Sequence, residues 1–180
     1  MARFWEENSD PTDSVCVLER KRWFVLQTRS QQERVVAGLL HARGTECFLP
    51  TSTRRTRTAR GPGSREVPLF PGYVFLRGER QDAYVADRNR RLVQIIDVAD
   101  QDQLERELVQ IQRALDAGVG LEPHRRFVAG TPVRVRAGGL LGVQGIVERH
   151  AAPHRLILQV QTLGQAVSFE LDDDDLEPID

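Results

Sequence analysis

A chain of 180 residues, 40% hydrophobic and 28% charged, suits one ordinary domain or a medium domain beside a very small one. A net charge of -1 gives no bulk pull toward nucleic acid, and no apolar run approaches the roughly 20 residues of a membrane helix. Cys16 and Cys47 lack metal-ligand spacing and make no disulfide framework, and the acidic start (Glu6, Glu7, Asp10, Asp13) is not an ordinary signal peptide, so a cytoplasmic protein is expected.

Residues 1–20 are acidic and polar around Pro11, and the expectation is a disordered tail. A domain over 21–117 follows. Trp23-Phe24-Val25-Leu26 reads as a strand with apolar side chains on both faces. Ser30 and Glu33 have capping-box spacing for a helix entry, Val35, Val36, Leu39 and Leu40 form its stripe, and Gly44 suits its stop. Cys47-Phe48-Leu49-Pro50 begins a second strand that runs into a basic segment, Arg54, Arg55, Arg57, Arg60 and Arg65, with no acid among them. Gly61-Pro62-Gly63 reads as the tip of a hairpin there.

The chain returns through Pro68-Leu69-Phe70-Pro71-Gly72-Tyr73-Val74-Phe75-Leu76. Alternation sends Tyr73 and Phe75 to one side and Val74 and Leu76 to the other, so both sides are apolar. Two readings stand: a central strand buried on both faces, or a face that offers aromatics to a partner. Gln81–Arg88 reads as a short helix and Leu92–Ile96 as a strand. Asp102 and Glu105 repeat the capping-box spacing before the stripe Leu104, Leu108, Ile111 and Leu115, which Gly118 ends. The expected fold class is α+β: an N-terminal α/β sandwich with an antiparallel-rich sheet, both well-marked helices sharing one face of it and leaving the other short of cover.

Residues 118–127 read as a linker, with Gly118, Gly120 and Pro123. Over 128–180 the period switches to two. Val133 and Val135, then Leu156, Leu158 and Val160, then Val167, Phe169 and Leu171 alternate with polar residues, while Gly138, Gly139, Gly142 and Gly145 crowd a turn. These short strands predict a small SH3-like β-barrel. The acidic end, Glu170, Asp172 to Asp175, Glu177 and Asp180, reads as a solvated edge.

The order of these parts resembles the NusG family of transcription elongation factors: the aromatic-led strand, Phe48-Leu49-Pro50 entering a basic hairpin, the Leu69-Phe70-Pro71-Gly72-Tyr73 block leaving it, and a glycine-centred barrel of the KOW type with Gly130, Val133-Arg134-Val135, Gly142 and Gly145. The resemblance covers about residues 22–179. It implies a NusG N-terminal domain docking on the clamp helices of the largest subunit of RNA polymerase through Phe48, Leu49, Pro50, Phe70, Pro71, Tyr73 and Phe75. It places Arg54, Arg55, Arg57 and Arg60 toward upstream DNA, and Arg88, Asn89, Arg90 and Arg91 toward the non-template strand. In the KOW loop, Leu140 stands where housekeeping members usually carry the phenylalanine that helps bind Rho or a ribosomal small-subunit protein. Leu140 and Leu141 are thus the candidate partner residues there, and the departure points to a specialised paralogue of the RfaH kind. The strand-favouring pattern over 133–169 gives no support for refolding of that domain into helices.

Catalytic signals are missing from the sequence. There is no phosphate-binding glycine loop with lysine, no dinucleotide fingerprint and no nucleophile elbow. His150 and His154 are four apart, but Pro153 argues against a zinc-presenting helix. No enzyme, no cofactor, no metal, no membrane and a monomer are expected. Two other functions remain open: a housekeeping NusG that couples polymerase to Rho or the ribosome, and a translation-associated RNA-binding module built on the barrel.

Overall fold

The computed structural model describes residues 21–58, 61–87, 90–124, 130–147, 155–171 and 175–179. The segment 1–20, Arg60, Arg88, Asn89, the linker beyond His124, His150, His154 and Asp172 to Asp174 lie outside them, as do the side chains of Arg55 and Arg57.

Strand β1 (Arg22–Thr28) organises the N-terminal part. It lies between β5 (Tyr73–Gly78) and β6 (Leu92–Asp97), antiparallel to both, and β2 (Glu46–Phe48) adds to the far side of β5, giving the order β2-β5-β1-β6. Period-two alternation then sorts the side chains. Phe24 and Leu26 of β1 and Val74 and Leu76 of β5 bury against Val36 and Leu40 of α1 (Glu33–His41) and Ala83 and Ala86 of α2 (Arg80–Ala86). Trp23, Val25 and Phe75 bury in a second cluster with Leu104, Leu108 and Ile111 of α3 (Gln101–Asp116). The two amphipathic helices therefore lie on opposite faces, which corrects the expectation that they share one. A strand that is apolar on both faces needs cover on both, and the chain supplies it.

Both helix entries differ from the capping-box expectation. Gln32 is the N-cap of α1 and makes no side-chain cap. Asp100, two residues before the expected Asp102, caps α3 by accepting from Gln103 N at 2.8 Å. Gln101 does something no local pattern announces. Its amide accepts from Trp23 N (2.6 Å) and donates to Trp23 O (3.1 Å) and Val98 O (2.9 Å), pinning the start of α3 to the sheet. Within α1 the buried apolar residues are Val36 and Leu40, on one face with Glu33; Val35 and Leu39 are exposed, because a nine-residue helix buries only one narrow face.

The basic hairpin is β3 (Thr51–Thr58) against β4 (Gly61–Pro68), in full register from Thr51↔Pro68 to Thr58↔Gly61. That register puts Gly61, Pro62 and Gly63 in β4 rather than at the tip. Arg34 of α1 reaches the hairpin, bonding Glu66 O at 3.0 Å and Glu66 Oε2 at 3.1 Å.

The C-terminal part is β-rich. Six antiparallel strands take the order β12-β8-β9-β10-β11-β7: β7 (Glu122–His124), β8 (Thr131–Val135), β9 (Gln144–Val147), β10 (Arg155–Val160), β11 (Gln165–Glu170) and β12 (Leu176–Pro178). Strand β7 falls within the segment read as a linker and pairs with β11. Gly138 (φ 75°) and Gly142 (φ 83°) flank a tight turn, whereas Gly145 lies inside β9. This part rests on α3: Gln110 Oε1 accepts from Gln144 N at 3.2 Å and Glu107 Oε2 from Gln161 N at 3.1 Å. Burial of Glu107 pushes its carboxyl above the ordinary carboxylate range, against the bonds from Gln103 and Gln161 that favour the charge. Among the described residues, no helix is long and apolar enough to cross a membrane.

Candidate functional site

The Leu69–Tyr73 block is a tight turn between the hairpin and β5. Leu69 N donates to Pro50 O at 2.9 Å, which closes the base of the hairpin and sets Pro50 beside the turn. Tyr73 N donates to Phe70 O at 3.1 Å, Pro71 occupies the second position and Gly72 the third with φ 86°. These are the marks of a type II turn, whose third residue needs positive φ. Pro71 is exposed at its tip. Tyr73 is half-buried against the α3-side cluster, and Leu49 is half-buried on the other cluster.

The remaining aromatics of the proposed docking set point inward. Phe70 is 1% exposed, Phe75 0% and Phe48 8%. Phe70 meets Phe75 edge-on with ring centres 5.8 Å apart, and Phe48 lies 6.3 Å from Phe75. They belong to the continuous cluster that runs through α3 into the β-rich part. An uncovered aromatic face is thus not what this arrangement presents, because α3 packs on the side expected to be bare.

Two interactions hold the turn from outside. Thr28 N donates to Gly72 O at 2.7 Å, and Gly72 N donates to Glu33 Oε1 at 2.7 Å. Glu33, 7% exposed, is the first residue of α1, so its carboxylate serves the turn rather than its own helix. The capping-box spacing did single out Glu33, but it assigned a local partner.

Arg54 is exposed on β3 and stands directly opposite Arg65 on β4, a like-charge pairing that leaves positive potential on the hairpin. A cavity of about 560 Å³ opens where the hairpin meets the end of α3, between Thr51 to Arg54 and Gly118 to Pro123. Arg90 is exposed with φ 51°; Arg91 is half-buried and its guanidinium donates to the Gln32 side chain. In the β-rich part Leu140 is 7% exposed and packs inside, whereas Leu141 is 65% exposed. The loop therefore offers Leu141 and not Leu140. Among the described residues no group of three or more His, Cys, Asp or Glu could hold a metal ion.

The model of a protein family described as "NusG: Transcription termination factor nusG" matches residues 21–114, more than half of the chain. The chain belongs to the NusG family. As a member it is a transcription elongation factor, and the family works with RNA polymerase. The match contains β1 to β6 and most of α3, including the Leu69–Tyr73 turn and the basic hairpin. No curated protein matches. Among solved structures, one on the domain interaction in Thermotoga maritima NusG is 21% identical, with a TM-score of 0.45, and covers 89% of this chain and 98% of that one. Two conformations, A and B, of an MjSpt4:Spt5 complex are 14% and 16% identical. Their TM-scores are 0.29 and 0.27; each covers 87% of this chain, and 97% and 96% of those chains. Family membership rests on the sequence match.

Proposed function

We propose that this NusG-family factor docks on RNA polymerase through its N-terminal domain, residues 21–117, and favours processive elongation as a specialised paralogue. The observation that carries the proposal is the type II turn inside the family-matched segment, with Pro71 at its surface and Tyr73 at the rim of the aromatic cluster. The expected partner surface is the helix pair of the largest-subunit clamp, taken in the helix-in-groove mode. Pro71, Leu49 and Tyr73 can meet it directly. Contact by Phe48, Phe70 and Phe75 requires their cluster to open, since they are buried. The factor acts in the cytoplasm by binding one polymerase state better than another, without catalysing a reaction.

Arg54 and Arg90 are exposed, and with Arg55, Arg57, Arg60 and Arg88 they provide phosphate contacts to upstream and non-template DNA, adding salt-dependent affinity without sequence choice, while Asn89 beside them meets a base edge. Arg91, bonded to Gln32, supports the turn before β6.

Core RNA polymerase binding tests the proposal. Tyr73→Ala is expected to weaken the dissociation constant at least ~10-fold, as a central aromatic anchor does, while leaving the fold intact. Equal affinity of wild type and variant would count against the docking surface.

The exposure of Leu141 favours a second reading, in which the C-terminal domain couples polymerase to Rho or the ribosomal small subunit. A housekeeping factor is expected to bind Rho or the small subunit and to lose about tenfold in affinity on Leu141→Ala. The specialised reading expects no binding of wild type to Rho in the same titration.

A further inference from the structure

We infer that Glu33 is a positioning residue for polymerase docking: from the start of α1 it fixes the orientation of the Pro71–Gly72 peptide and with it the surface presented by Pro71 and Tyr73. The inference rests on the polymerase reading above. Type I and type II turns share their outer residues and differ by a flip of the central peptide, which reverses the direction of its N–H. Here that peptide joins Pro71 to Gly72. A Pro-Gly pair is compatible with both forms, since proline suits the second position of either and glycine accepts either sign of φ. The turn sequence alone therefore leaves the flip undecided.

The surroundings decide it. Gly72 N donates to Glu33 Oε1 at 2.7 Å, a charge-assisted bond available only when the peptide N–H faces α1. Gly72 O is held at the same time by Thr28 N at 2.7 Å, so the residue is gripped at both its polar atoms. Glu33 is only 7% exposed as a residue, an uncommon setting for a glutamate, and its carboxylate has a backbone N–H partner there. The backbone before it is also constrained. Gln31 has φ 60°, a conformation rare for a residue with a side chain, within a turn closed by Gln32 N donating to Arg29 O at 3.1 Å. This turn swings the chain from β1 into α1 so that Glu33 arrives beside Gly72. Space does not impose the turn conformation: a Cβ built on Gly72 would meet only Thr28 O, at 3.9 Å.

The test uses the full chain and core RNA polymerase. Glu33→Ala is expected to weaken binding about tenfold, on the scale of one lost charged hydrogen bond, and to raise hydrogen exchange at the Gly72 amide. Glu33→Gln keeps an accepting oxygen at the same reach and is expected to recover most of both losses. Val36→Ala, which thins the packing of the same helix, controls for general destabilisation and is expected to bind as wild type does. Glu33→Ala binding as tightly as wild type would overturn the inference, as would Val36→Ala weakening binding to the same extent. Wild type failing to bind polymerase at all would instead remove the docking proposal on which the inference stands.

Discussion

Phe75→Ala is expected to lower the stability of the N-terminal domain by about 3–5 kcal/mol, the usual cost of truncating a fully buried phenylalanine. The ring has no exposed surface and sits between Phe70 and Phe48, so the surrounding side chains can close only part of the space it leaves. Against the 5–15 kcal/mol typical of a folded domain, such a loss brings the domain near its limit. Chemical denaturation with the slope held constant measures it. The same experiment separates two kinds of aromatic in one motif. An aromatic kept only for a partner would leave the denaturation midpoint unchanged when truncated, and that result would return Phe75 to the docking surface. Tyr73, half-buried at the rim, should show the reverse pattern, with a small change in stability and a large change in polymerase affinity.

What the sequence made legible follows from which features are local. The strand at Trp23–Leu26, the Leu104–Ile111 stripe and the stop at Gly118 each depend on neighbours within one or two turns, and each stands where its pattern put it. The side of the sheet taken by each helix is not local. A strand apolar on both faces is equally consistent with helices on one side or two, and the connection between β6 and α3 settles the matter only in three dimensions. Glu33 and Gln101 show the same limit for polar groups. Glu33 had the right spacing to cap its helix, yet its carboxylate answers an amide 39 residues away. Gln101 bonds the backbone of Trp23, 78 residues away, with nothing in its neighbourhood to distinguish it from an exposed glutamine. Leu140 and Leu141 illustrate a finer failure. Adjacent leucines in a loop carry no periodicity, so only the closed turn between Gly138 and Gly142 reveals which one faces the interior.

Gly145→Val should cost the C-terminal domain about 3 kcal/mol, the upper end for overpacking, or unfold it outright. Its spacing groups Gly145 with the turn glycines, but it lies within β9 and opposite Val133 of β8. A Cβ there would stand 2.7 Å from Ile157 O and 3.0 Å from Cγ and Cδ1 of Leu156. The leucine could shift its rotamer. The carbonyl cannot withdraw without moving β10, which is paired with both β9 and β11. Hydrogen exchange should therefore rise across β9 and β10 while amides of β1 and β5 keep their protection. α3 meets this domain through the bonds of Gln110 and Glu107 and through the shared apolar cluster, but Leu104, Leu108 and Ile111 also pack with Trp23, Val25 and Phe75 of its own sheet, so the helix stays attached there when the domain unfolds. Polymerase binding then separates the competing functions. Docking through the N-terminal domain predicts that the variant still binds core RNA polymerase within a few-fold of wild type, with freed cluster residues if anything adding to the contact. A translation-associated module predicts that association with the ribosome or RNA disappears along with the β-rich fold, and polymerase binding lost to the same degree would show that the two domains form the docking site jointly.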